Sequence, residues 1–206
     1  MMNDNEIIRD FFMSRLERDG KSEALLDYTT GIRYYYQDFD VRSRKFANFL
    51  TDKAKIKKGD RVAICAGNCV QHIDMFYAIV RTGYIMTSYN VKLTERELSE
   101  LILKENPSVV LYEEEFGEKA AALKKRFPEV AFISTGNKKQ EGDLACYQEV
   151  LEYSDEDRSL PDHQFEDIAM LVHTGGTTGI PKAAMISYRA LYCLLYTSPS
   201  PRDRTR

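Results

Sequence analysis

From Val62 onward the apolar residues of this chain change their period again and again, and that alternation limits the folds open to it. A run over 62–65 reads as a strand. The stretch from about 69 to 82 is apolar on most sides (Val70, Ile73, Met75, Phe76, Ile79, Val80) and predicts a buried helix ended by Gly83. Residues 84–89 then read as a strand. Thr94-Glu95-Arg96-Glu97 has the form of a capping box and starts a helix that Asn106-Pro107 stops. A strand over 108–112, a helix over 118–127, a strand over 130–134 and a short helix over 144–151 follow. Strands alternating with helices of about ten residues or more imply an α/β fold whose sheet is largely parallel, flanked by helices.

The first sixty residues prepare for that unit. Ile8, Phe12 and Leu16 form one helical stripe with Ile7 and Phe11 beside it, and Asp19-Gly20 ends the helix. Two short strands are expected over 23–27 and 32–36, joined by a turn at Thr29-Thr30-Gly31. Asp38 is expected as the N-cap of a helix that buries Phe39, Phe46, Phe49 and Leu50. Late in the chain an acidic loop over 155–167 leads into an apolar strand over 168–173, read as buried.

Composition removes several classes of function. The 206 residues carry 29 Lys+Arg against 32 Asp+Glu, a formal net charge of -3, so there is no basic footprint for nucleic acid or an anionic membrane surface. A 43% hydrophobic and 30% charged chain is near the globular average and argues against long disorder. No apolar run reaches the ~18 residues of a spanning helix. The opening MMNDNEIIRD lacks the basic-then-apolar order of a secretory leader. Cys65, Cys69, Cys146 and Cys193 are too scattered for a disulfide framework, which makes a reduced, cytoplasmic setting the expectation. Oligomeric state is not legible.

One stretch carries chemistry: His173-Thr-Gly-Gly-Thr-Thr-Gly-Ile-Pro-Lys182, directly after the apolar strand. Glycines let several backbone N–H groups converge on one anion. Thr174, Thr177 and Thr178 add hydroxyls, and Lys182 adds an ammonium on a flexible stem. The set suits a polyphosphate. It is not a Walker A loop, because Pro181 precedes Lys182 where that motif has Gly and Ala183 follows where it has Ser or Thr.

TGGTTGIPK followed by Ala183-Ala184-Met185-Ile186-Ser187 resembles the signature loop of the adenylate-forming (AMP-binding) acyl-CoA synthetase superfamily, most closely that of fatty-acyl-CoA ligases. Upstream, FDVRSRKFANFL, Lys58-Gly-Asp-Arg-Val-Ala63, Asn68, Phe76-Tyr-Ala-Ile-Val-Arg-Thr-Gly83 and Asn90-Val-Lys-Leu-Thr-Glu-Arg-Glu-Leu98 fit the same family. The chain departs from the usual pattern at four places: Gly175 stands for Ser, His173 for an aromatic, Ala183 for Gly and Tyr188 for His. His173 is expected to be hydrogen-bonded or solvent-facing, with an imidazole able to titrate near neutral pH.

The resemblance implies a two-step reaction. A carboxylate attacks the α-phosphorus of Mg-ATP, pyrophosphate leaves, and a thiol, usually of coenzyme A, then takes the acyl group. It assigns Thr174, Gly175, Gly176, Thr177, Thr178, Gly179 and Lys182 to the phosphate cradle, with Lys182 also catalytic. It implies ATP, Mg2+ and coenzyme A as co-reactants, a small carboxylic acid and a nucleotide as partners, and no protein metal ligand within this chain. The adenine, ribose, acyl and Mg2+ elements of the family lie downstream. Residues 1–192 are therefore expected to be a partial, incomplete N-terminal domain, inactive and poorly soluble alone. Residues 193–206, CLLYTSPSPRDRTR, resemble a translated sequencing adapter and are expected to be a non-native tail. The alternative function is a non-catalytic nucleotide- or phosphate-binding module of the same fold.

Other candidates have plainer readings. Cys65 and Cys69 lack the second pair of a metal site. Glu113-Glu114-Glu115 reads as a solvated loop, His72 and His163 as structural or exposed, and Tyr34-Tyr35-Tyr36 as strand. Ser187 has no His and Asp at a hydrolase spacing.

Overall fold

The computed structural model describes residues 2–174 and 182–197. Helix α1 (Asp4–Arg18) opens on a capping box that sequence reading missed: the Asn3 side chain accepts the Glu6 N–H while the Glu6 carboxylate accepts the Asn3 N–H. Ile8, Phe12 and Leu16 are buried along it as the stripe predicts. Strands β1 (Glu23–Leu26) and β2 (Arg33–Tyr35) form a small antiparallel hairpin. Helix α2 (Tyr36–Asp52) corrects one expectation: its N-cap is Tyr35, and Asp38 sits inside the first turn, its carboxylate accepting the Tyr35 N–H at 2.8 Å. An acid there still complements the helix N-terminus, so the residue type is explained although its position shifts.

The α/β unit then runs β3 (Arg61–Cys65), α3 (Gln71–Thr82), β4 (Ile85–Ser88), α4 (Glu95–Glu105), β5 (Val109–Tyr112), a 3-10 turn at Glu114–Phe116, α5 (Gly117–Arg126) and β6 (Ala131–Ser134). It closes with β7 (Ala145–Cys146), α6 (Tyr147–Leu151), β8 (Ile168–Thr174), β9 (Lys182–Ser187) and α7 (Tyr188–Thr197). The single helix expected over 144–151 divides in two. Ala145 and Cys146 pair in parallel with Ile133 and Ser134, and the helix begins only at Tyr147. Edge pairing of two small buried residues overrides their neutral local preference.

Among the described residues, seven strands form one sheet in the order β7-β6-β5-β3-β4-β8-β9. All neighbours are parallel except the final β8–β9 pair. From β3 the chain moves to β4 on one side, then crosses back to β5 on the other, so the sheet is doubly wound. The period-2 strand β3 divides its residues accordingly. Val62 and Ile64 belong to the core under α1, α2, α3 and α6, while Ala63 and Cys65 face the core under α4 and α5. Phe46, Leu50 and Ile79 fill the first core at no exposure, and Leu101, Ile102 and Phe132 the second. Truncating a ring as enclosed as that of Phe46 to Ala costs about 3–5 kcal/mol.

Two boundaries have clear stereochemical causes. Gly83 ends α3 at φ 74°, a conformation a side chain strains, and Asn106 ends α4 at φ 47° before Pro107. The expectation that β8 is a buried strand needs correction. Only Ala169 of it is buried, and Val172 is 45% exposed, because its outer neighbour β9 is an antiparallel edge with little packed over it. Among the described residues no helix is long and apolar enough to cross a membrane.

Candidate functional site

Parallel strands present their carboxyl ends on one side of the sheet, where α/β folds bind ligands. A cavity of about 460 Å³ opens there, at the ends of β3, β4 and β8. Its polar lining comes from Asn68, His72, Ser88, Asn90, His173 and Thr174. Among the described residues no carboxylate lines it.

Of the predicted phosphate-binding residues, Thr174 lines this cavity and Lys182 pairs with it across the sheet edge. Strands β8 and β9 run antiparallel with Thr174 opposite Lys182, and the Thr174 hydroxyl donates to the Lys182 carbonyl at 3.2 Å. Both residues are exposed. Lys182 therefore belongs to the first position of a strand rather than to the loop, and it stands across from the hydroxyl residue that opens the loop. Gly175, Gly176, Thr177, Thr178 and Gly179, the rest of the predicted cradle, lie outside the described residues.

His173 is the best-held side chain of the site. Its Nδ1–H donates to the Ser88 carbonyl at 3.0 Å, and Nε2 meets Glu105 Oε1 at 2.6 Å. Glu105 ends α4, and its other oxygen accepts the Thr87 hydroxyl at 3.2 Å. The hydrogen bond to Glu105 raises the His173 pKa above the ordinary imidazole value, against the opposing effect of burial. Of the two readings for His173, the hydrogen-bonded one holds. Its partner Glu105 is 68 residues away in sequence, and nothing in the local sequence marks it.

The remaining candidates resolve into structure. Cys69 Sγ lies 3.2 Å from His72 Nδ1, while burial pushes the Cys65 thiol up to about 11, leaving it a protonated core group at neutral pH. Among the described residues no group of three or more His, Cys, Asp or Glu is placed to hold a metal ion. Glu113 departs from the solvated-loop reading, since its carboxylate accepts the Gly67 N–H and fixes the turn after β3. His163 is structural: it is fully buried, bonds the Val80 carbonyl through Nε2 at 2.9 Å and packs on Tyr188 with ring centroids 4.9 Å apart. Ser187 accepts the Ala190 N–H at 3.3 Å at the start of α7. Of the tyrosine run, Tyr34 and Tyr35 are strand and Tyr36 begins α2.

The site thus combines a doubly wound α/β sheet, a polar crevice at its strand ends and, in the sequence, a Gly/Thr segment between Thr174 and Lys182. The chain belongs to the AMP-binding enzyme family, whose pattern it matches over residues 12–205. It is 26% identical over 170 residues to a medium/long-chain-fatty-acid–CoA/3-oxocholest-4-en-26-oate–CoA ligase of Mycolicibacterium smegmatis, covering 81% of this chain and 31% of that protein. With a medium-chain-fatty-acid–CoA ligase of Ectopseudomonas oleovorans it shares 25% identity over 209 residues, covering 98% of this chain and 38% of the relative. The chain thus spans about a third of the length of these curated relatives. The fold superposes on ATP-bound MatB from Rhodopseudomonas palustris with a TM-score of 0.78 at 23% identity, covering 95% of this chain and 37% of that one. For the anthranilate CoA ligase AuaEII in complex with anthranoyl-AMP the TM-score is 0.79 at 19% identity, covering 88% and 35%.

Proposed function

We propose that this chain supplies the phosphate-handling part of an ATP-dependent acid–thiol ligase, which joins a carboxylic acid to AMP and then passes the acyl group to coenzyme A. The observation that carries the reading is the register that sets Thr174, which lines the crevice, opposite Lys182, at the two ends of the Gly/Thr segment. When a carboxylate oxygen attacks the α-phosphorus, the α–β bridging bond breaks and negative charge grows on the departing pyrophosphate. Donors fixed in advance at that charge stabilise the transition state more than water does. The ammonium of Lys182, the hydroxyls of Thr174, Thr177 and Thr178 and the N–H groups of Gly175, Gly176 and Gly179 are assigned that task. Mg2+ would neutralise part of the phosphate charge; among the described residues no carboxylate lines the cavity to hold it. A fatty acid is the favoured substrate, ahead of aromatic and amino acids, in keeping with the names of the similar ligases. A cytoplasmic setting goes with this chemistry.

Residues 193–206 have no role in this scheme. Sequencing the parent gene across the codon for Tyr192 tests their reading as a non-native tail. For the function itself, Lys182→Ala in the complete enzyme that carries this chain should slow carboxylate-dependent ATP–pyrophosphate exchange by about 100-fold, the scale of losing one charge-stabilising group. Exchange at the wild-type rate removes Lys182 from the reaction. Exchange absent from the unmodified enzyme leaves a non-catalytic nucleotide-binding module as the alternative.

A further inference from the structure

The ladder between β4 and β8 stops short. Its last backbone partners are Thr87 and Leu171, so Val172, His173 and Thr174 run past the point where β4 pairs with them. On the other side those residues have only β9, the sheet edge. The next polar link back to the body of the sheet is a side chain: His173 reaches the carbonyl of Ser88, the last residue of β4, and the carboxylate of Glu105, the last residue of α4. We propose that His173 is a positioning residue, a proton-dependent strut to Glu105 that holds the end of β8, and with it Thr174 and the opposed Lys182, in place for the phosphate tail.

The geometry fixes the proton count. A backbone carbonyl only accepts, so Nδ1 must carry a hydrogen to bond Ser88. A carboxylate oxygen 2.6 Å from Nε2 calls for a second. An imidazole that donates from both nitrogens is the protonated form. Loss of its proton leaves Nε2 facing Glu105 lone pair to lone pair, and one leg of the strut is lost. His173 has a side-chain exposure of 12% and Glu105 of 6%, so water does not readily substitute for the missing bond. The groups around the pair favour this reading. Glu105 attracts the proton and Lys104 on α4 opposes it more weakly; Tyr89 lies edge-on at 5.6 Å after β4, and His72 on α3 and Thr174 share the cavity wall. Lys182 on β9 is exposed to solvent. The strut is complete at low pH and is lost as pH rises through the His173 titration, which lies above the ordinary imidazole value of 6.5.

The inference rests on the function proposed above for the meaning of the placement, but its test has arms independent of that function. In the complete enzyme that carries this chain, the His173 ring resonance is titrated by NMR from pH 5 to 9, and amide protection factors of Val172, His173 and Thr174 are followed over the same range. ATP is then titrated at each pH. Wild type should lose severalfold protection at the three amides across the His173 midpoint, with ATP affinity falling severalfold in the same window. Glu105→Gln should move the midpoint down, because the hydrogen bond to the Glu105 carboxylate is the main effect that raises it. His173→Phe, which keeps an aromatic ring, should make both profiles flat. A midpoint indifferent to Glu105→Gln, or protection with the same pH profile in wild type and His173→Phe, overturns the strut. Protection that follows the midpoint while ATP affinity does not overturns its positioning role. Failure of wild type to bind ATP at any pH removes the nucleotide reading, and the strut is then decided by the titration and the amides alone.

Discussion

The scaffold under the first core hangs on one buried carboxylate, and removing it is the most direct test of how the helices are tied. Asp74 on α3 has no solvent exposure, and it accepts from Arg42 Nε at 2.8 Å, Arg42 Nη2 at 2.7 Å and the Tyr147 hydroxyl at 2.6 Å. Three helices, α2, α3 and α6, therefore meet at one side chain. Asp74→Ala strands a guanidinium that is only 16% exposed and a hydroxyl on a ring that is 2% exposed. Breaking a buried pair from one side costs about 3–5 kcal/mol. The orphaned hydroxyl adds about 1–3 kcal/mol. The terms share one partner and overlap, so a loss of about 4 kcal/mol is expected, a large fraction of the ~5–15 kcal/mol that holds a typical domain. Tyr147→Phe, which spares the ion pair, should lose only about 1 kcal/mol. Asp74→Leu with Arg42→Met should recover part of the loss, because no charge is then left unpaired. Urea unfolding followed by circular dichroism measures all three. Asp74→Ala within 1 kcal/mol of wild type, or a double variant no better than the single, refutes the argument.

Two pH effects follow from other side chains. Arg158 donates to both oxygens of Asp52 at 2.9 Å and, with the Tyr153 hydroxyl, holds that carboxyl down to about 2. The stability it contributes is present above the ordinary value of 3.8 and is lost as pH falls toward 2; in melts across that window Asp52→Asn should flatten the decline, and added salt should shrink the difference because the pair is a third exposed. Burial lowers the pKa of His163, so the unfolded chain takes up that proton first and stability should fall as pH drops below 6.5. His163→Phe should show a shallower fall by the same melts, and an unchanged slope would refute a lowered His163 pKa in the fold.

How far the sequence spoke depended on the range of each interaction. The alternation of strands and helices, the Thr94 capping box and the stop at Asn106-Pro107 are local, and each stands where the pattern puts it. The misplaced cap at Asp38 shows the limit of that signal, since an acid favours the first helical turn as well as the N-cap and only backbone geometry separates the two. The divided segment at β7 and α6 fails for the opposite reason: two residues became strand because β6 had a free edge beside them. In the site, the motif marked Thr174 and Lys182, and their opposition follows from the hairpin around it. Glu105 and Ser88 were invisible because parallel crossovers bring them to His173 from other strands and helices. The buried state of His163 was likewise set by α1, α3 and α7 packing around an acidic loop.

The far side of the sheet gives the last test. Along β9 successive side chains point to opposite faces, so Met185, opposite Leu171, and Ala184, opposite Val172, lie on different sides. Met185 is 71% exposed and Val172 45%, so this end of the sheet shows apolar surface on both faces. The same strand is the outer edge, with one row of N–H and C=O groups unpaired by any neighbour among the described residues. An edge that is apolar and hydrogen-bond-competent is a template for pairing with a second copy, and a single charge there is the usual device against it. Met185→Lys leaves Thr174, Lys182 and His173 untouched and faces solvent, so stability should change by less than about 0.5 kcal/mol. The soluble, monomeric fraction of this chain, measured by light scattering after gel filtration, should rise. If it does not, while Val172→Thr on the other face also has no effect, the poor solubility expected of the chain does not originate at this edge.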